Sequence, residues 1–211
     1  MSVHALALSA SHEFSKTPVP QLTLLAGLGV EGDCHLGVTV QHLSRLRLTP
    51  PPPNLRQVHL IPKEILDECG VAPGQIGENV ATSGIDLLAL GKGTKLHFLP
   101  PLSPTSQFRN PHDGGDNGDG PDGDDNSDDE AALAAPHAIV VVQGVRNPCP
   151  QIDKFRAGLK ERLIVRDGER RIVGRRAGVM GTVEAGGVVS VGMRIVVEEV
   201  EGGGFEKLEC V

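Results

Sequence analysis

The sequence predicts a mainly β domain, a barrel with a few short helices and two loop insertions. Three observations predict it. Short apolar runs of strand length recur along the chain, separated by glycine turns. Helical signals are confined to two brief segments. Hydrophobic residues make up 39% of the 211 residues but aromatics only 2%, with no Trp or Tyr, so the core is built of Val, Leu, Ile and Ala. Many short strands with few helices favour a closed or partly closed barrel.

Taken in order, Val3 to Leu8 is apolar apart from His4 and short enough for a buried strand. Leu48 to Asn54 holds four consecutive prolines and reads as an extended loop insertion (48–54). Gln57 to Ile61 is a β-like run. Pro62 to Cys69 predicts a helix, with Pro at its first turn and Gly70 as its stop. Thr94 to Leu99 and Ala138 to Val145 predict strands flanking a second insertion, 100–136, which then forms a long hairpin connection. Residues 150–166 predict one or two short helices, from the spacing of Ile152, Phe155, Leu159, Leu163 and Ile164. Ala177 to Val200 reads as a β-meander turning at Gly186-Gly187. The whole of 1–211 reads as one domain.

Net charge is −7, but residues 113–130 alone carry eight Asp and Glu130 and no base. Without those nine acids, 18 remain against 20 bases, so the body is close to neutral. The acidic run cannot bury apolar area and reads as a solvated, disordered linker. It lacks the spacing of a calcium loop. Scarce aromatics argue against a base-stacking nucleic-acid surface. No apolar stretch is long enough for a membrane helix. Cys34, Cys69, Cys149 and Cys210 form no CxxC pair, and no signal sequence is evident. The expectation is a cytoplasmic protein with free thiols, no nucleic-acid partner and no membrane partner.

Four stretches carry candidate chemistry. Arg146-Asn147-Pro148-Cys149-Pro150 follows an apolar strand, and the prolines stiffen the turn. A Cys held at a strand end beside an Arg suits a thiolate that ligates a transition metal or acts as a nucleophile. It equally suits a buried structural thiol. Gly29 to Gly37 contains Gly32, Asp33, Cys34 and His35; the glycines let backbone approach a ligand, and the polar groups orient the loop. Zinc at Cys34 and His35 lacks a second ligand pair. Pro73 to Val80 is a glycine turn presenting Glu78 and Asn79, either a structural turn or part of a site. The bases Lys160, Arg162, Arg166, Arg170, Arg171, Arg175 and Arg176 form a solvated face, from which one or two Arg could clamp a phosphate.

In their order, GVEGDCHLG (29–37), PGQIGENVATSGIDLLALGKGTKL (73–96), VVVQGVRNPCPQID (140–153) and AGVMGTVEAGGVVSVGMRIVV (177–197) resemble the MOSC family, named for the C-terminal domain of molybdenum cofactor sulfurase. The likeness is to the stand-alone, single-domain members. It implies a MOSC-like β-barrel that binds the molybdenum cofactor (Mo-pyranopterin). It also implies that Cys149 is the molybdenum ligand and catalytic residue of an oxidoreductase that reduces N-hydroxylated compounds. Arg146, Asn147, Asn79, Gly32, Asp33, His35 and Glu78 are then the expected cofactor-binding residues. Such an enzyme takes a small-molecule substrate and needs a separate electron-donor protein. The alternative is a non-catalytic carrier of the cofactor or of sulfur.

Overall fold

The computed structural model describes residues 1–42, 47–102, 132–200 and 206–211. Among these, the strands in chain order are β1 (Ser2–Leu8), β2 (Thr17–Val19), β3 (Gln21–Leu25), β4 (Gly29–Val30), β5 (Val58–Pro62), β6 (Val80–Ser83), β7 (Lys95–Leu99), β8 (Ala138–Val145), β9 (Ile164–Arg166), β10 (Ile172–Arg175), β11 (Val179–Ala185), β12 (Gly187–Ser190) and β13 (Arg194–Glu198). Short α-helices accompany them, α1 (Lys63–Cys69), α2 (Pro150–Phe155) and α3 (Leu159–Arg162), with a 3-10 turn at Leu87–Ala89. The protein is mainly β, as the sequence predicts.

Seven strands close a barrel in the order β13-β7-β8-β11-β5-β6-β1, and β1 returns to β13 through Ser2 and Arg194. Closure leaves these strands without a free sheet edge. Neighbours are antiparallel except β5 and β6, which run parallel and are connected through α1. β2 adds to β1, β12-β3-β4 form a three-stranded sheet, and β9-β10 form a hairpin.

Two apolar clusters share the barrel wall. The larger fills the barrel and includes Phe98, Leu60, Val58, Val140, Val142 and Val179. The smaller lies outside it, where Ile65 and Leu66 of α1, Ile152 of α2 and Leu159 of α3 pack on Ile61 and Ala177. Every residue of β5 is therefore buried. Side chains alternate along a strand, so Val58 and Leu60 face the barrel interior while His59 and Ile61 face the outer layer.

β7 and β8 are antiparallel neighbours, and the expected 100–136 insertion falls between them in sequence. Residues 103–131, and with them the whole Asp-rich run, lie outside the described residues. The proline loop is irregular and pinned by a bridge from Pro53 to Thr39.

Two expectations need correction. Residues 177–200 are not a meander: β12 leaves the barrel and pairs with β3 from Gly187↔Leu24 to Ser190↔Gln21. Gly186 permits this crossing because a Cβ there would stand 2.8 Å from the Leu24 carbonyl oxygen. The helical reading of 150–166 stops at Arg162, because the β-branched pair Ile164-Val165 enters β9 and pairs with β10. Phe98 is fully buried at the barrel centre. Phe98→Ala is expected to cost about 3–5 kcal/mol of stability, measured by urea unfolding.

Candidate functional site

A cleft of about 690 Å³ lies against the outer face of the barrel wall. Several separate stretches of the chain build it. Residues 12–16 follow β1, His35 sits in the loop after β4, and His59 projects from β5 with Gly77 and Asn79 beside it. Residues 146–151 follow β8, and Cys210 and Val211 lie along the end of that strand.

The polar framework centres on Asp33. Its buried carboxylate accepts from Lys16 Nζ at 2.5 Å, from Asn79 Nδ2 at 3.0 Å and from the His35 backbone N–H at 3.0 Å. Burial alone would raise the Asp33 pKa. The His35 hydrogen bond and the Lys16 charge overcome it and hold the carboxyl far below its ordinary value. Burial pulls the Lys16 pKa down, against the attraction of Asp33. At neutral pH the two form an ion pair, because the carboxylate is held ionised by several donors besides the amine.

Asn79 is fully engaged. Its Oδ1 accepts from the His59 backbone N–H at 3.2 Å, and its Nδ2 donates to Ala7 O as well as to Asp33. It ties β5, β1 and the Asp33 loop together. Gly77 lets the adjoining turn pass close to residue 14: its φ is +86°, and a Cβ there would stand 2.6 Å from the Phe14 carbonyl oxygen. Glu78 turns inward, away from the cleft. Its Oε1 accepts from the Gly74 N–H at 2.5 Å, its Oε2 has no partner among the described residues, and burial raises its pKa.

Arg146 is buried at the end of β8. Its backbone N–H donates to Gly178 O at 2.9 Å, and its guanidinium donates to Ile76 O at 2.5 Å. Burial lowers its pKa from the usual arginine value, while the Cys149 sulfur and the Glu78 carboxyl counteract this. Arginine remains cationic under such shifts. Cys149 is the residue before α2, with Pro150 at the first helical position. It is half-buried, and Gln151 Oε1 lies 3.8 Å from its sulfur. Asn147 is exposed and accepts from Arg175 Nε at 3.1 Å, joining the cleft rim to β10.

Of the residues expected from sequence, Cys149, Arg146, Asn147, Asn79 and His35 line this one cleft. Asp33 stands behind its wall and Glu78 is buried beneath. Gly32 is exposed and makes no part of the lining. Lys16, His59, His12 and Arg56 also line it and were not anticipated. Two of them carried a signal. Lys16 is the lone base of the first 20 residues, and His59 interrupts an apolar strand. Asp33, Cys34 and His35 place one ligand atom each within 4.8 Å of one another, but the Asp33 carboxylate is already claimed by Lys16.

The fold has known counterparts. The YuaD protein from Bacillus subtilis aligns with a TM-score of 0.61 at 20% identity, over 95% of this chain and 96% of that one. YiiM from Geobacillus stearothermophilus aligns with a TM-score of 0.51 at 14% identity, over 98% of this chain and 77% of that one. The likeness is one of fold. The chain matches no protein-family model and no curated protein by sequence. The barrel is MOSC-like. Among the described residues, no helix is long and apolar enough to cross a membrane.

Asp33→Asn leaves the Lys16 ammonium buried without a counter-charge. The expected loss is about 3–5 kcal/mol at neutral pH, measured by chemical denaturation. A carboxyl with a depressed folded-state pKa stabilises above its unfolded value of about 3.9 and loses that contribution as pH falls toward the folded value. The gap between wild type and Asp33→Asn is therefore expected to stay constant from neutral pH down to about 4 and to shrink below it.

Proposed function

We propose that the cleft binds the molybdenum cofactor, with the Cys149 thiolate as molybdenum ligand. The observation that carries this reading is the meeting of Cys149 with the buried Arg146 in one cleft, beside His59 and Lys16. A soft thiolate suits a transition metal. Guanidinium and ammonium groups suit the phosphate of the pyranopterin. The cleft volume lies within the usual range for small-ligand and cofactor sites. The residues present therefore fit the group.

In this reading Cys149 is held for ligation by its flanking prolines and by the packing of α2. Arg146 supplies a fixed positive charge beside the sulfur and, being buried, loses little freedom when a ligand arrives. Asp33 and Asn79 act at one remove, holding Lys16, His35 and the His59 backbone in place. Gly32 and Glu78 belong to the supporting turns. When bound, the metal supplies the redox chemistry that reduces N-hydroxylated compounds, drawing electrons from a separate donor protein. Small body charge outside the acidic run and the scarcity of aromatics favour a small-molecule substrate over nucleic acid. A cytoplasmic location accords with the four free cysteines.

The test is elemental analysis of wild type and Cys149→Ser, both made in a host that synthesises the cofactor. Near-stoichiometric molybdenum in wild type and its loss from Cys149→Ser are expected. Well-folded wild type without molybdenum would overturn the reading. Turnover of a hydroxylamine-type substrate with a chemical reductant is expected of the loaded wild type; cofactor retention without turnover would point to a carrier.

A further inference from the structure

His59 lies on the outer face of β5, directly across from Met180 of β11, and is only 4% exposed. One ring nitrogen, Nε2, is 2.7 Å from the Ala177 carbonyl oxygen. A carbonyl can only accept, so Nε2 carries the proton and donates it. Burial, reinforced by the positive charge of Arg146, pushes the imidazole pKa well below its ordinary value, and the ring is neutral. The other nitrogen, Nδ1, is then a lone pair. It is fully buried and no described group donates to it. The nearby backbone group is the Gly77 carbonyl, itself an acceptor.

The side chains whose charge acts on this ring, Lys16 and Arg146, are both positive. The Asn79 carbonyl oxygen is taken by the His59 backbone N–H. Among the described residues lining the cleft, Nδ1 of His59 is the side-chain acceptor that the protein leaves both buried and unused. A buried acceptor without a donor is costly, and a ligand donor relieves that cost. A bare phosphate would satisfy the cations and leave this nitrogen as it is. A ligand combining an anionic group with an N–H satisfies both.

We infer that Nδ1 of His59 accepts a hydrogen bond from an N–H of the pterin, so that His59 selects the heterocycle while the cations select its phosphate. This inference rests on the cofactor reading above. It makes His59 a specificity residue of the cleft, distinct from the metal ligand. Gly178 keeps the arrangement intact: with φ +87°, a Cβ there would stand 2.9 Å from His59 Nε2 and 2.2 Å from the Leu60 carbonyl oxygen.

The test uses the full chain with 15N-labelled histidine rings, made once in a host that synthesises the cofactor and once in a host that cannot. In the cofactor-free protein, His59 is expected as the Nε2–H tautomer with an unprotonated Nδ1. On loading, without substrate, its Nδ1 resonance is expected to move upfield as it accepts a bond, with no change of tautomer. In parallel, His59→Phe is expected to retain about tenfold less pterin, the loss of roughly one hydrogen bond, read from the fluorescence of oxidised pterin released on denaturation. Circular dichroism checks that the variant is folded; if it is not, the nitrogen spectra decide alone. An Nδ1 resonance unchanged on loading, or undiminished pterin in folded His59→Phe, would overturn the inference. Movement only after an N-hydroxylated substrate is added would transfer the acceptor to the substrate and overturn it too. Wild type containing no pterin would instead sink the cofactor reading, and this inference with it.

Discussion

The buried ion pair of Lys16 and Asp33 is the constraint on which the cleft depends. Both side chains are almost wholly removed from solvent, where an unpaired charge is expensive. The pair is sustained because the carboxylate also takes hydrogen bonds from Asn79 and His35. Those donors come from different parts of the chain: the segment after β1, the loop after β4 and the turn before β6. One carboxylate thus fixes three loops that share no continuous secondary structure. Asn79 extends the network into the β5–β1 region of the wall, and so sets the height at which His59 stands.

That framework concentrates positive charge in the buried part of the cleft, at Lys16 and Arg146. The acid that neutralises Lys16 stands behind the wall, and the acid nearest Arg146, Glu78, is buried with a raised pKa. The buried lining therefore presents Lys16 and Arg146 with the neutral imidazole of His59, beside the half-buried Cys149, while the acid in the lining, Glu13, is exposed. Burial strengthens these fields relative to those of the exposed Arg cluster, most of which is engaged locally. Arg166 pairs with Glu161, Arg171 with Asp167, and Arg176 with Glu68. The basic run around residues 160–176 is thus mainly a surface network, and the charge that matters to the cleft comes from Arg146 and Lys16.

Much of the architecture was legible in the sequence because strand length and glycine turns are local signals. β1, β5, β7, β8 and α1 fall within a residue or so of their expected bounds. The short strands β2, β3 and β4 went unread: TPV, QLTLL and GV carry too little periodicity to declare themselves. The destination of β12 was equally hidden, since a Gly-Gly turn marks a change of direction and says nothing of which strand will be met. At the site, the Arg-Asn-Pro-Cys turn was visible because proline stiffness and a lone thiol are properties of adjacent residues. Lys16 and His59 were not, because their roles come from partners at Asp33 and Ala177, far along the chain. The family resemblance implied that Glu78 and Asp33 bind the cofactor; their carboxylates bond the Gly74 backbone and Lys16.

The strand β5 has two readerships. Its alternate residues fill the barrel at Val58 and Leu60 and furnish the cleft and its flank at His59 and Ile61. No intervening layer buffers one from the other. A change of volume at Leu60 must be absorbed by a backbone whose next residue positions the imidazole, so mutational drift inside the barrel is transmitted to the recognition surface one peptide away. Interior and cleft in this molecule are bound to vary together, and a variant selected for a better-filled barrel would arrive with an altered cleft.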